Sequence, residues 1–318
     1  VFAGTYRGAD VAVKEFVTRE RMAEIISEER SKLSKINGSF GATTTSNGSS
    51  NKRHSTLNIS QALLTNAATT TRMGSGGRST ANERKQQGHE FKREVRALNR
   101  VRHPNIVAFL GAFEKAKRRG IVLELMERGS LADVLANPTQ VLSWKVRIGL
   151  GLDAARGLAY LHAQSPPILH HDVKSLNMLI DENGGCKVSD FGAAVDVGGE
   201  LTNMGTIAWM APEVLRKEPY TAASDVYSFG IVLWEIASRA EPTNGRPIGQ
   251  IRPDTLAGKR LPIDRDSWPE ELCDLIEECW AQEPAKRPLL SDVSTRLATM
   301  MTELPEDVKS ADTHSITA

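Results

Sequence analysis

Three charged residues lie inside apolar runs, and they constrain this chain more than any other feature. Lys14 closes the run Val11-Ala12-Val13-Lys14. Asp172 follows Ile168-Leu169-His170-His171. Asp190 follows Lys187-Val188-Ser189 and precedes Phe191-Gly192. Hiding a lone charge is costly, so a fold that covers these runs must give each charge an opposite partner or a ligand. Each one alone reads as half of a structural ion pair. Together, and in this order, they point to a site.

Composition narrows the classes. Hydrophobic residues make up 40% of the 318 residues and charged residues 25%, values of a globular chain with about two domains. The net charge of +1 argues against a protein that coats nucleic acid. The longest apolar stretches, such as Ile231–Trp234, fall far short of the ~18 residues a membrane span needs. No basic-then-apolar leader opens the chain. The three cysteines, Cys186, Cys273 and Cys279, are too few for a disulfide scaffold. Their odd number suits free thiols in a reducing, cytoplasmic (intracellular) compartment.

The pattern along the chain changes character twice. Val11–Phe16, Ile106–Phe109 and Ile121–Leu125 read as strands. Thr18–Ile36 has apolar residues at helical spacing, and Phe91, Val95 and Leu98 mark one face of another helix. Between them, Glu29 and Glu83 bracket a stretch with no acidic residue. Within it, 28 of the 44 residues from Asn37 to Thr80 are Asn, Gly, Ser or Thr, so 37–82 reads as a disordered insertion. It is either passive or a regulatory loop with phosphorylatable hydroxyls. From Leu131 onward the pattern is mostly helical, with Leu142–His162, Asp225–Ser238 and Pro269–Trp280 the clearest helices. A strand-rich first part and a helix-rich second part imply two lobes that meet near Glu127–Gly129.

The order Lys14, Glu94, His170-His171-Asp172-Val173-Lys174-Ser175-Leu176-Asn177, Asp190-Phe191-Gly192, Ala211-Pro212-Glu213 resembles the protein-kinase signature set. Arg102-His103-Pro104-Asn105-Ile106-Val107, Gly205-Thr206-Ile207-Ala208-Trp209-Met210 and Ser224-Asp225-Val226-Tyr227-Ser228-Phe229-Gly230 resemble one branch of it. That branch is the tyrosine-kinase-like serine/threonine kinases of the Raf and mixed-lineage type. The resemblance implies an α+β, bilobal fold: a small β-rich N-lobe over 1–126 and a larger helical C-lobe over 127–302, with a tail over 303–318. It implies transfer of the γ-phosphate of Mg²⁺-ATP to Ser or Thr of a protein substrate. Phosphoryl transfer needs positioning and charge neutralisation more than covalent help.

The resemblance also implies roles. Lys14 would reach the α and β phosphates, with Glu94 as its ion-pair partner. Asp190 and Asn177 would hold Mg²⁺. Asp172 would accept or orient the substrate hydroxyl proton, with Lys174 near the γ-phosphate and Thr206 beside them. Val1, Ala12 and Leu179 would line the adenine slot, Glu124 and Met126 would offer a backbone carbonyl and amide, and Leu123 would guard the back pocket. Leu98, Phe109, His170 and Phe191 would stack as an internal spine, anchored through His170 by Asp225. Glu213 and Arg287 would form a buried ion pair.

Three departures stand out. The glycine-rich loop of the family would lie upstream of Val1. His171 stands where the family usually has Arg, which puts control by phosphorylation at Thr202 in doubt. The insertion widens the spacing between Lys14 and Glu94 to 80 residues, so a regulatory partner bound there would act beside their helix. The rival reading is a pseudokinase that scaffolds partners; a small-molecule phosphotransferase fits the Ala211-Pro212-Glu213 segment less well. No nucleic acid is expected as a partner.

Overall fold

A computed structural model of the chain describes residues 1–16, 80–115, 118–190, 204–243 and 245–304. The expected helix at Thr18–Ile36, the insertion up to residue 79, Phe191, Gly192 and Thr202 lie outside the described residues. The chain divides into two compact units. The first comprises Val1–Val95 and Phe109–Leu125, and the second Arg96–Ala108 with the chain from Met126 onward. The division is not a single cut near 126: the segment Arg96–Ala108 belongs with the second unit, and so does Met126.

The first unit is built on a four-stranded antiparallel sheet, in the order β1-β2-β4-β3. Its strands are β1 (Phe2–Tyr6), β2 (Ala9–Phe16), β3 (Phe109–Lys115) and β4 (Arg118–Glu124). Tyr6 pairs with Ala9 across a two-residue turn, and both Arg7 (φ 53°) and Gly8 (φ 84°) are left-handed there. That is the backbone a tight hairpin between right-twisted strands requires. Ile106–Phe109 is not a strand. Ile106 makes only an isolated bridge to Val188 in the second unit, and the strand runs onward from Phe109. A short apolar run shows burial, not backbone direction. The register of β3 shifts between Phe109 and Gly111. Gly120 has no room for a side chain, since a Cβ there would lie 2.5 Å from the Phe113 ring.

Helix α1 spans Thr80–Arg100 and takes in the last residues assigned to the insertion. In the second unit, α2 (Leu131–Ala136) starts from a capping box in which Ser130 and Asp133 serve each other's backbone N–H. Next come α3 (Trp144–His162), β5 (Met178–Ile180) paired with β6 (Cys186–Val188), and α4 (Pro212–Leu215). Then follow α5 (Ala222–Ser238), α6 (Ile248–Leu256), α7 (Glu270–Cys279) and α8 (Leu290–Glu303). Helix α5 is the axis of this unit: every residue from Ser224 to Ala237 is buried. A helix buried all round is packed on every side, so its few polar residues must find partners inside the protein. The fold is α+β, and among the described residues no helix is long and apolar enough to cross a membrane.

Candidate active site

In the first unit, alternation along β2 puts Lys14 and Phe16 on one face of the sheet, while spacing along α1 puts Phe91 and Glu94 on one face of the helix. The four meet two by two. The rings of Phe16 and Phe91 pack edge to face with centroids 5.4 Å apart. Lys14 Nζ lies 2.7 Å from Glu94 Oε1. The Glu94 side chain is 3% exposed and that of Lys14 25%, so the carboxylate is buried and the ammonium keeps an outlet. The pair with Lys14 offsets the cost of burying the Glu94 carboxylate, and Glu94 aims the lysine.

In the second unit the segment from His170 to Asn177 is held from below. Asp225 of α5 accepts the backbone N–H of His170 (2.8 Å) and of His171 (3.0 Å), the His162 Nε2–H (2.8 Å) and the Tyr220 hydroxyl. Burial alone would raise the Asp225 pKa. The hydrogen bond and charge of His162 and the Tyr220 hydroxyl outweigh it, and the pKa is lowered. These bonds hold His171 at φ 65°, a left-handed conformation unusual for a residue with a side chain. The His171 ring stacks on Tyr220, with centroids 4.1 Å apart. His170 Nε2 donates to the Ser189 carbonyl (2.9 Å), and His170 Nδ1 accepts the Asp172 N–H (3.3 Å). Both contacts suit the neutral Nε2–H tautomer.

The backbone then delivers three of the expected site side chains to one place. Lys174 Nζ lies 2.7 Å from Asp172 Oδ2. Asn177, at the end of a single 3₁₀ turn (Ser175–Asn177), donates its Nδ2 to the same oxygen at 3.0 Å and to the Asp172 carbonyl at 2.8 Å. The Ser189 N–H and hydroxyl each donate to the Asn177 carbonyl at 2.9 Å, so the residue before Asp190 is tied to Asn177. Asp190 itself is exposed, at φ 60°. Asn177 and Asp190 offer oxygen donors, the set a hard divalent cation takes. With Nδ2 committed to Asp172, the Asn177 amide oxygen is the atom that would face such a cation. Among the described residues no group of three or more His, Cys, Asp or Glu could hold a metal by itself, so a cation here would complete its shell with water and phosphate oxygens.

The residues assigned to the base are described within their own units. Ala12 pairs with Leu123 and Val11 with Glu124 across β2 and β4, and Val1 is 44% exposed. Leu179 pairs with Lys187 and bridges to Ser130. Met126 is buried, and its carbonyl accepts the Gly129 N–H (3.3 Å), so the amide is its group suited to a base. The expected spine includes Phe191, which lies outside the described residues, as does the side chain of Thr206.

Glu213 of α4 and Arg287 make a two-pronged ion pair at 2.7 and 2.8 Å, with Ser224 donating to Glu213. Burial pushes the Glu213 pKa up, but the Arg287 bonds and charge and the Ser224 hydroxyl pull it below the usual value. One buried acid with polar partners escaped the sequence reading. Glu235 is 4% exposed on α5, and the hydroxyl of Ser175 and the indole of Trp209 both donate to it. It sits in Val232-Leu233-Trp234-Glu235-Ile236-Ala237, a charge in an apolar run like Lys14, and the same criterion would have found it.

Comparison with known proteins gives a family match and named relatives. The family described as "Protein tyrosine and serine/threonine kinase" matches residues 78–297. The chain is 39% identical over 223 residues to the probable serine/threonine-protein kinase drkD of Dictyostelium discoideum, covering 69% of this chain and 17% of that protein. It is 40% identical over 227 residues to a second probable serine/threonine-protein kinase of the same organism, DDB_G0271682, covering 70% and 21%. It is 41% identical over 230 residues to the serine/threonine-protein kinase CTR1 of Arabidopsis thaliana, covering 70% and 27%. The matched region thus spans less than a third of each of these three relatives.

Proposed function

We propose a function for this chain from one premise: it belongs to the protein tyrosine and serine/threonine kinase family. The reading is a protein serine/threonine kinase that transfers the γ-phosphate of ATP to Ser or Thr hydroxyls of protein substrates, in signal transduction. One observation carries it. Lys174 and Asn177 both meet Oδ2 of Asp172, which leaves Oδ1 to accept or orient a hydroxyl proton. A carboxylate tied at one oxygen is oriented before substrate arrives, and positioning is most of what phosphoryl transfer asks of a protein.

In this reading Lys14, aimed by Glu94, binds the α and β phosphates of ATP, and Lys174 holds the γ-phosphate beside Asp172. Val1, Ala12, Leu179 and the backbone of Glu124 and Met126 receive the adenine. Asn177 and Asp190 hold Mg²⁺, which when bound neutralises phosphate charge. The relatives named as serine/threonine-protein kinases favour Ser and Thr as acceptors. ATP and three buried free thiols suit an intracellular, cytoplasmic place. A regulatory partner at the insertion belongs to the same reading.

The test is transfer of labelled phosphate from ATP to a generic basic protein. Wild type should label it in the presence of Mg²⁺. Asp172→Asn and Asp190→Asn should each lower the rate by about 100-fold or more. Equal labelling by wild type and both variants would overturn the reading.

A further inference from the structure

Among the described residues, two buried side-chain atoms have no hydrogen-bond partner in the protein: Arg128 Nη1 and Gln140 Oε1. Both residues line one small cavity of about 20 Å³ in the second unit. Its other walls are apolar, with Val134 of α2, Val146 and Leu150 of α3 and Ile180 of β5 among them. A buried donor or acceptor left unmatched is costly, and here one of each faces the same space.

Neighbouring bonds fix both residues. The Arg128 backbone N–H donates to the Ile180 carbonyl at 3.2 Å, and Arg128 Nη2 donates to the Glu182 carbonyl. Tied at its backbone and at one nitrogen, the guanidinium leaves Nη1 to the cavity. The Gln140 N–H donates to the Asn137 carbonyl at 3.3 Å, and the Gln140 carbonyl accepts from Arg239 Nη1 at 2.7 Å. The backbone at Gln140 is thus held on both sides, between α2 and α3.

We propose that this cavity binds one ordered water, which accepts from Arg128 Nη1 and donates to Gln140 Oε1. Size, polarity and charge each select that ligand. A cavity needs roughly 10–15 Å³ to hold one water, so about 20 Å³ suits a water and is far too small for a nucleotide or a drug-sized molecule. Wholly apolar cavities stay dry, whereas this one offers the two polar partners that a buried water requires. The occupant must accept from a cation and donate to an amide oxygen. Water does both; chloride only accepts, and a metal ion would face the guanidinium charge. The water joins the segment after Met126 to the loop between α2 and α3. It touches none of the residues assigned to ATP or to phosphate, so it does not depend on the kinase reading.

The first test uses the wild-type protein with labelled valine and isoleucine methyl groups. Val146→Ala and Ile180→Val identify the two methyl signals. Both should show nuclear Overhauser cross-peaks to water, with the sign of a long-lived bound molecule. Gln140→Met keeps the bulk without the acceptor and should abolish them. Their absence from wild type, or their persistence in Gln140→Met, would overturn the proposal.

A double-mutant cycle in urea asks whether the two side chains share a partner. The Glu182 bond is lost in both proteins carrying Arg128→Met and cancels. Gln140→Met should lower the folding equilibrium constant by a factor at least about threefold larger when Arg128 is present. Equal factors in the two backgrounds refute a shared water. A high-resolution crystal structure distinguishes the occupants. Density within hydrogen-bond distance of both atoms supports the water, while a direct Arg128–Gln140 bond, or bromide entering the site in place of chloride, overturns it.

Discussion

At the scale of single residues, this protein treats buried charge in three ways. Glu213 meets Arg287, whose side chain is 0% exposed, through two parallel bonds, and each charge satisfies the other. Arg287→Met leaves Glu213 unpaired, and the expected cost is about 3–5 kcal/mol, read as a lowered midpoint of chemical denaturation. Asp225 is kept ionised by surrounding donors. Among the described residues Glu235 has donors but no cation beside it, and burial dominates. Its proton is therefore held in the native state up to about pH 8, while the unfolded chain releases it in the usual carboxylate range. Between those limits the native state binds more protons than the unfolded state, so this group favours unfolding increasingly as pH rises. Glu235→Gln carries no such proton. Wild type should lose stability relative to Glu235→Gln from about pH 5 to pH 8. Denaturation curves of the two proteins across that range check the sign, and a constant difference would contradict it.

Elements are set by what lies against them more than by their own propensities. Helix α3 contains Gly149, Gly151 and Gly157, each unfavourable in an isolated helix. Their surroundings differ. A Cβ at Gly157 would lie 2.4 Å from the Asn105 carbonyl oxygen and 2.8 Å from Val188. A Cβ at Gly149 would meet only Met301, at 3.8 Å. Gly157→Ala should therefore destabilise by about 2 kcal/mol or more, since backbone must move. Gly149→Ala should stabilise by up to about 1 kcal/mol. The contrast is measured by thermal or urea denaturation of the two variants side by side. A similar logic explains Arg239, which ends α5 at φ 54° where glycine is common. Its guanidinium donates to the carbonyls of Leu135, Asn137 and Gln140, so a side chain is worth more there than an easy backbone.

Across the whole molecule, all three cysteines are buried free thiols. Burial pushes the Cys279 thiol up to about 12 and raises that of Cys186 as well. A thiol reagent such as Ellman's should label none of them in the native protein and all three in denaturant, and prompt labelling of a native thiol would contradict the burial. The two units divide the residues proposed as catalytic. Lys14 and Glu94 are fixed within the first, and Asp172, Lys174, Asn177 and Asp190 within the second. The family match covers residues 78–297, so Glu94 and the second-unit residues fall within it while Lys14 precedes it. Loss of transfer in Lys14→Met, measured as labelled phosphate on a basic protein, would join Lys14 to the same machinery. An expected loss of about 100-fold or more would follow from removing the charge proposed to position ATP.

Much of this was written in the residues themselves. The motifs from His170 to Asn177 and around Asp190 are contiguous, so their chemistry is legible without a fold. Asp225 under His170 and Glu213 with Arg287 followed from the resemblance, and the structure places both pairs in contact. The strand at Ile106–Phe109 was misread because an apolar run records burial and not pairing. The double contact of Glu235 was invisible because Ser175 and Trp209 lie 60 and 26 residues away from it along the chain. Sequence fixes which groups are present and which neighbours they have along the backbone. Which distant donors share one buried carboxylate depends on how the helices pack, and only the folded chain decides that.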